Sequence, residues 1–174
     1  AVGEAGLSVV DISDAANPSV LFTLDTPGSA NDVVVSGNYA YVADGSAGLR
    51  ILDITSPTGP AASEPTPGYG WGVADPLSPV ELSTLAIPGS AHGVDIAGNY
   101  AYVIAGGYGL VAVDVSDPAA PSIVATCGTP SGPGPSDVDA FGGYAYVADA
   151  EAGLAVIDIL PPYSELAKFE SPAY

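Results

Sequence analysis

An all-β fold of repeated four-stranded antiparallel units is what this sequence predicts, on three observations. One phrase recurs four times: Gly6-Leu7-Ser8-Val9-Val10-Asp11, Gly48-Leu49-Arg50-Ile51-Leu52-Asp53, Gly109-Leu110-Val111-Ala112-Val113-Asp114 and Gly153-Leu154-Ala155-Val156-Ile157-Asp158. A second phrase precedes three of them: Gly37-Asn38-Tyr39-Ala40-Tyr41-Val42, Gly98-Asn99-Tyr100-Ala101-Tyr102-Val103 and Gly143-Tyr144-Ala145-Tyr146-Val147. Every phrase is short, rich in Val, Ile, Leu and Tyr, and bounded by Gly, Pro, Asn or Asp. That is the composition of strands, and no 3.6-residue periodicity persists over a helical length.

The elements follow in a fixed order. An inner strand comes first, at Asp32-Val33-Val34-Val35, Gly93-Val94-Asp95-Ile96 and Asp137-Val138-Asp139-Ala140. A Gly-Asn or Gly-Gly pair then suits a tight hairpin, because Gly accepts positive φ at little cost. The Tyr phrase is the second strand and the Leu-to-Asp phrase the third. A Pro-bearing turn leads to an outer fourth strand, at Val20–Leu24, Val80–Leu85 and Ser122–Thr126. The closing Asp residues lie 42, 61 and 44 positions apart. A four-stranded unit of that period, repeated, matches the blade of a β-propeller. The chain then reads as a single propeller segment, 1–174, with a partial blade at about 5–25 and further blades at 31–87, 92–127 and 136–171. Within it, 58–78 is an insert and Leu166–Ser171 the last strand. The first blade lacks its inner and Tyr strands, so the segment amounts to about three and a half blades. A propeller closes by completing its ring, so the segment is expected to be partial or to be completed by assembly.

The same residues carry a resemblance. Leu110-Val-Ala-Val-Asp114, Leu7-Ser-Val-Val-Asp11 and Leu154-Ala-Val-Ile-Asp158 resemble the LVIVD repeat, as do the preceding Gly-Asn-Tyr-Ala-Tyr-Val and the following Asp114-Val-Ser116-Asp117-Pro118. The likeness covers the chain apart from the insert. It implies a bacterial or archaeal protein, often exported or surface-attached, with a propeller fold and mostly unassigned activity. It supplies no catalytic residues.

Composition narrows the partners. The 174 residues hold 2 Lys+Arg against 20 Asp+Glu, a formal charge of -18. With Arg50 and Lys168 as the only cations, the chain cannot neutralise a run of phosphates, so nucleic acid is not an expected partner. No apolar run reaches the length that spans a bilayer. The single Cys127 excludes a disulfide scaffold. Apolar residues make up 48%, so the chain is expected to fold despite its charge. An acidic surface of small polar residues, nearly without Lys, fits an extracellular or cell-surface protein in salty surroundings. Ala1 opens directly into a strand-like run, as in a mature form or a fragment.

Candidate sites are few. The insert 58–78 carries Tyr69 and Trp71, aromatic residues suited to stacking on a glycan or anchoring a protein; the alternative is that Trp71 packs back on a blade edge. Asp32, Asp95, Asp137 and Asp139 sit on inner strands. If they face the channel together they form an oxygen-rich site for Ca²⁺, although no Asp-X-Asp-X-Asp-Gly loop is present. Otherwise they are solvated or hydrogen-bonded. His92 stands where other repeats have Asn31 and Ser136, and a channel-mouth catalytic site would have to be built around His92, Asp95 and Asp139. No nucleophile–base pair accompanies them. Asp11, Asp53, Asp114 and Asp158 recur once per repeat and read as turn caps, the paired Tyr residues as packing between blades, and Cys127 as buried. The expected function is therefore a non-enzymatic structural or interaction protein, a propeller platform for assembly or adhesion at the cell surface, meeting copies of itself or other surface proteins. The alternatives are a carbohydrate- or protein-binding receptor module using Tyr69 and Trp71, and the channel-mouth enzyme. No cofactor is expected apart from the Ca²⁺ site.

Overall fold

A computed structural model describes residues 1–55, 79–129 and 134–159. The phrases become thirteen strands: β1 (Leu7–Asp11), β2 (Ser19–Leu24), β3 (Asp32–Ser36), β4 (Tyr39–Ala43), β5 (Leu49–Asp53), β6 (Val80–Leu85), β7 (Ala91–Ala97), β8 (Tyr100–Ala105), β9 (Gly109–Asp114), β10 (Ser122–Cys127), β11 (Asp137–Phe141), β12 (Tyr144–Asp149) and β13 (Gly153–Asp158). They make four antiparallel sheets, ordered β1-β2, β3-β4-β5-β6, β7-β8-β9-β10 and β11-β12-β13. These are blades 1 to 4, and blades 2 and 3 are four-stranded as expected. The only helical piece among the described residues is a 3-10 turn at Ala150–Ala152. The insert 58–78 and the expected strand Leu166–Ser171 lie outside the described residues.

Local chemistry sets the hairpins. Two residues join inner strand to Tyr strand in each case, and the first is Gly37, Gly98 or Gly142 at φ +57, +61 and +63. Positive φ at that position is what a two-residue turn matched to sheet twist requires. The third strand opens on a second demanding glycine. At Gly109, φ is +91 and an added Cβ would lie 2.2 Å from the Cys127 carbonyl oxygen. Gly6 and Gly48 repeat the arrangement against the carbonyls of Leu24 and Leu85. This close approach is why the Leu-to-Asp phrases of blades 1, 2 and 3 begin with Gly. The pairing of third and outer strands shifts register in blades 1, 2 and 3. Such bulges add twist at the outer edge, where Val20, Leu21, Ile123 and Val124 are exposed.

The core lies between blades. Tyr41, Ala43, Leu49 and Ile51 of blade 2 pack on Val94, Ala101, Val103, Val113 and Val115 of blade 3, with Tyr39 and Ile96 at the margin. Tyr102, Ile104, Leu110 and Ala112 of blade 3 pack in the same way on Val138, Ala145, Val147, Ile157 and Ile159 of blade 4. Both faces of a middle blade are thus buried, and β8 and β9 read as nearly continuous apolar runs. The Tyr pairs of blades 2 and 3 pack between blades, as their regularity predicted, whereas Tyr144 and Tyr146 of blade 4 are exposed. Cys127 is buried, its thiol 3.6 Å from the Gly128 carbonyl.

Candidate interaction site

The inner strands β3, β7 and β11 lie side by side, and their carboxylates join them. Asp32 Oδ1 accepts from Val33 N–H at 2.8 Å, and its Oδ2 from Val94 N–H of the next blade at 2.8 Å. Asp95 repeats this, Oδ1 taking Ile96 N–H at 2.8 Å and Oδ2 taking Ala140 N–H at 2.7 Å. Val33 and Val94 occupy the same rung of their blades, opposite Val42 and Val103. Ile96 and Ala140 do likewise, opposite Ala101 and Ala145. Each carboxylate therefore ties one rung of two neighbouring blades, a charge-assisted clasp. Asp137 takes only its own neighbour's N–H, from Val138 at 2.9 Å, and both Asp137 and Asp139 are exposed. Among the described residues no three carboxylate, His or Cys side chains come together as a cation-holding group. The four aspartates expected around Ca²⁺ are spread along three strands, and two of them have their oxygens filled by backbone donors.

The first two blades are also joined by a buried charge. Asp44 is 0% exposed. Thr26 Oγ donates to its Oδ1 at 2.7 Å and Gly28 N–H to its Oδ2 at 3.2 Å. Arg50, on β5, is buried beside it with Nε 3.8 Å from Asp44 Oδ2, and pairs its Nη2 with Glu81 on β6. Arg50 thus occupies a third-strand position that Val111 and Ala155 fill in blades 3 and 4. In blade 3 the matching residues of the Thr26–Asp44 pair are Ile87 and Ala105, so no charge is buried there. His92 lies against the next residue, where a Cβ on Gly106 would meet His92 Nε2 at 2.9 Å. His92 is exposed and Asp95 is taken up in its clasp.

The recurrent aspartates of blades 1 to 3 cap turns as expected, while the turn after Asp158 lies outside the described residues. Asp11, Asp53 and Asp114 accept the N–H of Ser13, Thr55 and Ser116 at 2.8, 2.7 and 2.9 Å. The Ser116 N–H, then its hydroxyl, holds the Asp114 carboxyl below the ordinary aspartate range; Ser13 does the same for Asp11. A second cap comes from Asp14, held low first by the Asn17 side chain and then by Ala16 N–H. Burial, and then the Tyr39 phenolate, pushes the Tyr41 phenol up.

The largest change from the repeat lies at blade 1. Strands β5, β9 and β13 each pair on one side with a Tyr strand, β4, β8 and β12. Among the described residues their counterpart β1 pairs with β2. Beside it is an apolar slot of about 360 Å³, lined by Leu7, Ser8 and Val9 on one wall and Val33, Val35, Ala40, Ile54 and Pro79 on the other. Val35 is 60% exposed. The equivalent far wall in blade 3, Val94, Ile96, Ala101 and Val115, is the surface covered by Tyr39 and Tyr41. The slot thus lies at the face of blade 2 that matches the Tyr-covered face of blade 3. A separate, more polar cleft of about 430 Å³ lies between Ser36–Tyr39 and Val115–Pro118.

Sequence reasoning did not single out the slot residues. It also missed Asp44 and Arg50; for Arg50 the signal was a charged residue where the repeat has Val111 and Ala155. Tyr69 and Trp71 lie outside the described residues. A family profile described as the LVIVD repeat matches the chain at residues 1–26, 27–65, 88–129 and 135–169. No curated protein matches the chain.

Proposed function

The chain belongs to the LVIVD-repeat family, a β-propeller repeat family, and on that premise we propose that it is a non-enzymatic interaction protein, a rigid propeller platform for assembly or adhesion at the cell surface. The observation that carries this reading is a blade stack clasped through Asp32 and Asp95 whose outer strands present exposed Val20, Leu21, Ile123 and Val124. Apolar side chains exposed on outer strands offer a surface to another polypeptide. The charge of -18 supports the location, since self-repulsion of that size is relieved where salt is high. Covalent mapping on intact source cells tests the proposal. With 20 carboxylates and 2 cations in the chain, the cross-linker must be carboxylate-reactive. The expected result is antibody labelling of intact cells, with cross-links to another polypeptide. A chain confined to the cell interior, or one that cross-links to nothing, overturns it.

A further inference from the structure

The polar cleft between blades 2 and 3 has a volume of about 430 Å³, within the range of roughly 300–1,000 Å³ that small-molecule sites occupy. Hairpin turns hold its walls. Asn38 and Asn99 take the second turn position between β3 and β4 and between β7 and β8. Their carbonyls accept the N–H of Ile54 and Val115 at 2.9 and 2.8 Å, which ties both turns down. Both side chains are exposed, and among the described residues neither amide is engaged by another group. Tyr39 is half-buried and Tyr41 is buried, and both line the cleft on the blade 2 side. Ser116 and Pro118, from the turn after β9, line it on the blade 3 side. The Pro118 carbonyl accepts the Ser83 hydroxyl of β6 at 2.6 Å, which fixes this turn to the outer strand of blade 2. The pair of amides is particular to this cleft, since the next hairpin has Gly143 where these two have Asn.

The lining selects the class of ligand. It contains no charged side chain, in a chain of formal charge -18. An anion would be repelled by that field, and a divalent cation would find no carboxylate in the lining. A purely apolar ligand would strip water from the two amides without replacing its hydrogen bonds. A ligand with neighbouring hydroxyls replaces them, because an amide offers two donors and an acceptor while a hydroxyl both donates and accepts. The carbon face of such a ligand suits the Tyr39 ring. We propose that this cleft binds a neutral saccharide unit, with Asn38 and Asn99 holding its hydroxyls from the two blades and Tyr39 and Tyr41 meeting its apolar face. None of the outer-strand residues Val20, Leu21, Ile123 and Val124 takes part, so the site goes beyond the platform reading and does not depend on it.

NMR titration of the full chain tests it, with the methyl glycosides of glucose, galactose and mannose as probes. At least one is expected to shift the side-chain amide signals of Asn38 and Asn99 and the backbone amide of Ser116. The uronic acid counterpart of that sugar, the same ring bearing a carboxylate, is expected to bind at least about tenfold more weakly. Asn38→Ala and Asn99→Ala are each expected to weaken binding by about fivefold to tenfold. Both side chains are exposed and neither residue adopts positive φ, so alanine fits the turns. Val124→Glu, on the exposed outer strand β10, is the control and leaves sugar binding unchanged. The proposal is overturned if no glycoside moves these signals, if both alanine variants bind as the parent chain does, or if the uronic acid binds equally well. Cross-linking to another polypeptide on cells reads the platform independently, so loss of the sugar site leaves that reading standing. With the site established, tighter binding of an oligosaccharide of the same sugar assigns a glycan chain as the source, and equal affinity a free sugar.

Discussion

Asp95 Oδ2 accepts the N–H of Ala140, 2.7 Å away on the inner strand of the next blade, while its Oδ1 accepts the N–H of Ile96 on its own strand. Blades have few backbone hydrogen bonds to one another, because their strands run side by side without forming a continuous sheet. Two isolated bridges, Gly3 with Ala30 and Gly45 with Ala91, are the backbone contacts between blades of this kind. The carboxylate does what a ladder would otherwise do.

Removing it tests this. Asp95→Ala leaves the half-buried Ala140 amide without its acceptor and should cost about 1.5–3 kcal/mol, the usual value for a hydrogen bond to a charged group. Asp95→Asn keeps one acceptor oxygen and should lose less. Urea unfolding of both variants measures the difference. If alanine and asparagine cost the same small amount, the clasp does not hold the blades.

The Thr26–Asp44–Arg50 group makes a coupled prediction. Asp44→Ala removes the carboxylate from a buried guanidinium whose remaining partner is Glu81, whose side chain is 42% exposed. Breaking one side of a buried pair costs about 3 kcal/mol or more. Adding Arg50→Met removes the stranded charge, so the double variant should be more stable than Asp44→Ala alone. Blade 3 already runs on Ala105 and Val111 at these two positions. A double variant less stable than the single would contradict this account.

The strand order was legible because each phrase repeats with its turn residues attached. The expected strand Ser122–Thr126 becomes Ser122–Cys127, and Val20–Leu24 becomes Ser19–Leu24. The roles of the aspartates were not legible. Alignment pairs Asp32 with Asp137 and Asp95 with Asp139, which suggested a gathered ring of carboxylates. The sideways reach of each Oδ2 to the next inner strand depends on how blades are offset, and that offset is set by packing of Tyr39, Tyr41 and their counterparts. Arg50 is a similar case, since its partner Asp44 is six residues away in sequence but sits across a hairpin end from it.

Acid should act through the turn caps. The Asp114 carboxyl is held low, chiefly by the Ser116 N–H. A depressed folded pKa contributes stability above the ordinary aspartate value of about 3.9, and this is lost as pH falls through the folded value. Asp114→Ala should therefore melt below wild type near pH 6, and the gap in Tm should close as pH drops below about 3. A gap that stays constant across that range would show the cap to be independent of charge.

Alkali should act through Tyr41, whose phenol is pushed up by burial and then by Tyr39. A raised folded pKa contributes stability below the free-tyrosine value of about 10, and this is lost as pH rises through the folded value. Tyr41→Phe keeps the ring against Val94 and Ala101 and has nothing to ionise. It should hold its Tm further into alkali than wild type, as thermal melts between about pH 8 and 12 would record. An unchanged alkaline decline would place the sensitive phenol elsewhere.

Ala150 stands where Gly45 stands in blade 2, and both adopt positive φ, +36 and +53. Gly45 uses that conformation to reach Ala91 of the next blade, with N–H and carbonyl both bonded at 3.2 and 2.9 Å. Alanine in the left-handed region pays roughly 1–2 kcal/mol in steric overlap, while glycine gives back about 0.5–1 kcal/mol as unfolded-state entropy. The two opposing effects leave a gain of about 0.5–1 kcal/mol for Ala150→Gly. The reverse change at Gly45 has a second obstacle, because an added Cβ would lie 3.2 Å from the backbone nitrogen and oxygen of Ser29. Gly45→Ala should therefore destabilise by more than Ala150→Gly stabilises, and should speed amide exchange at Ala91, whose hydrogen bond it strains. Urea unfolding and exchange at that single amide measure both effects. A destabilised Ala150→Gly variant would mean that the blade 4 turn draws its conformation from something other than backbone strain.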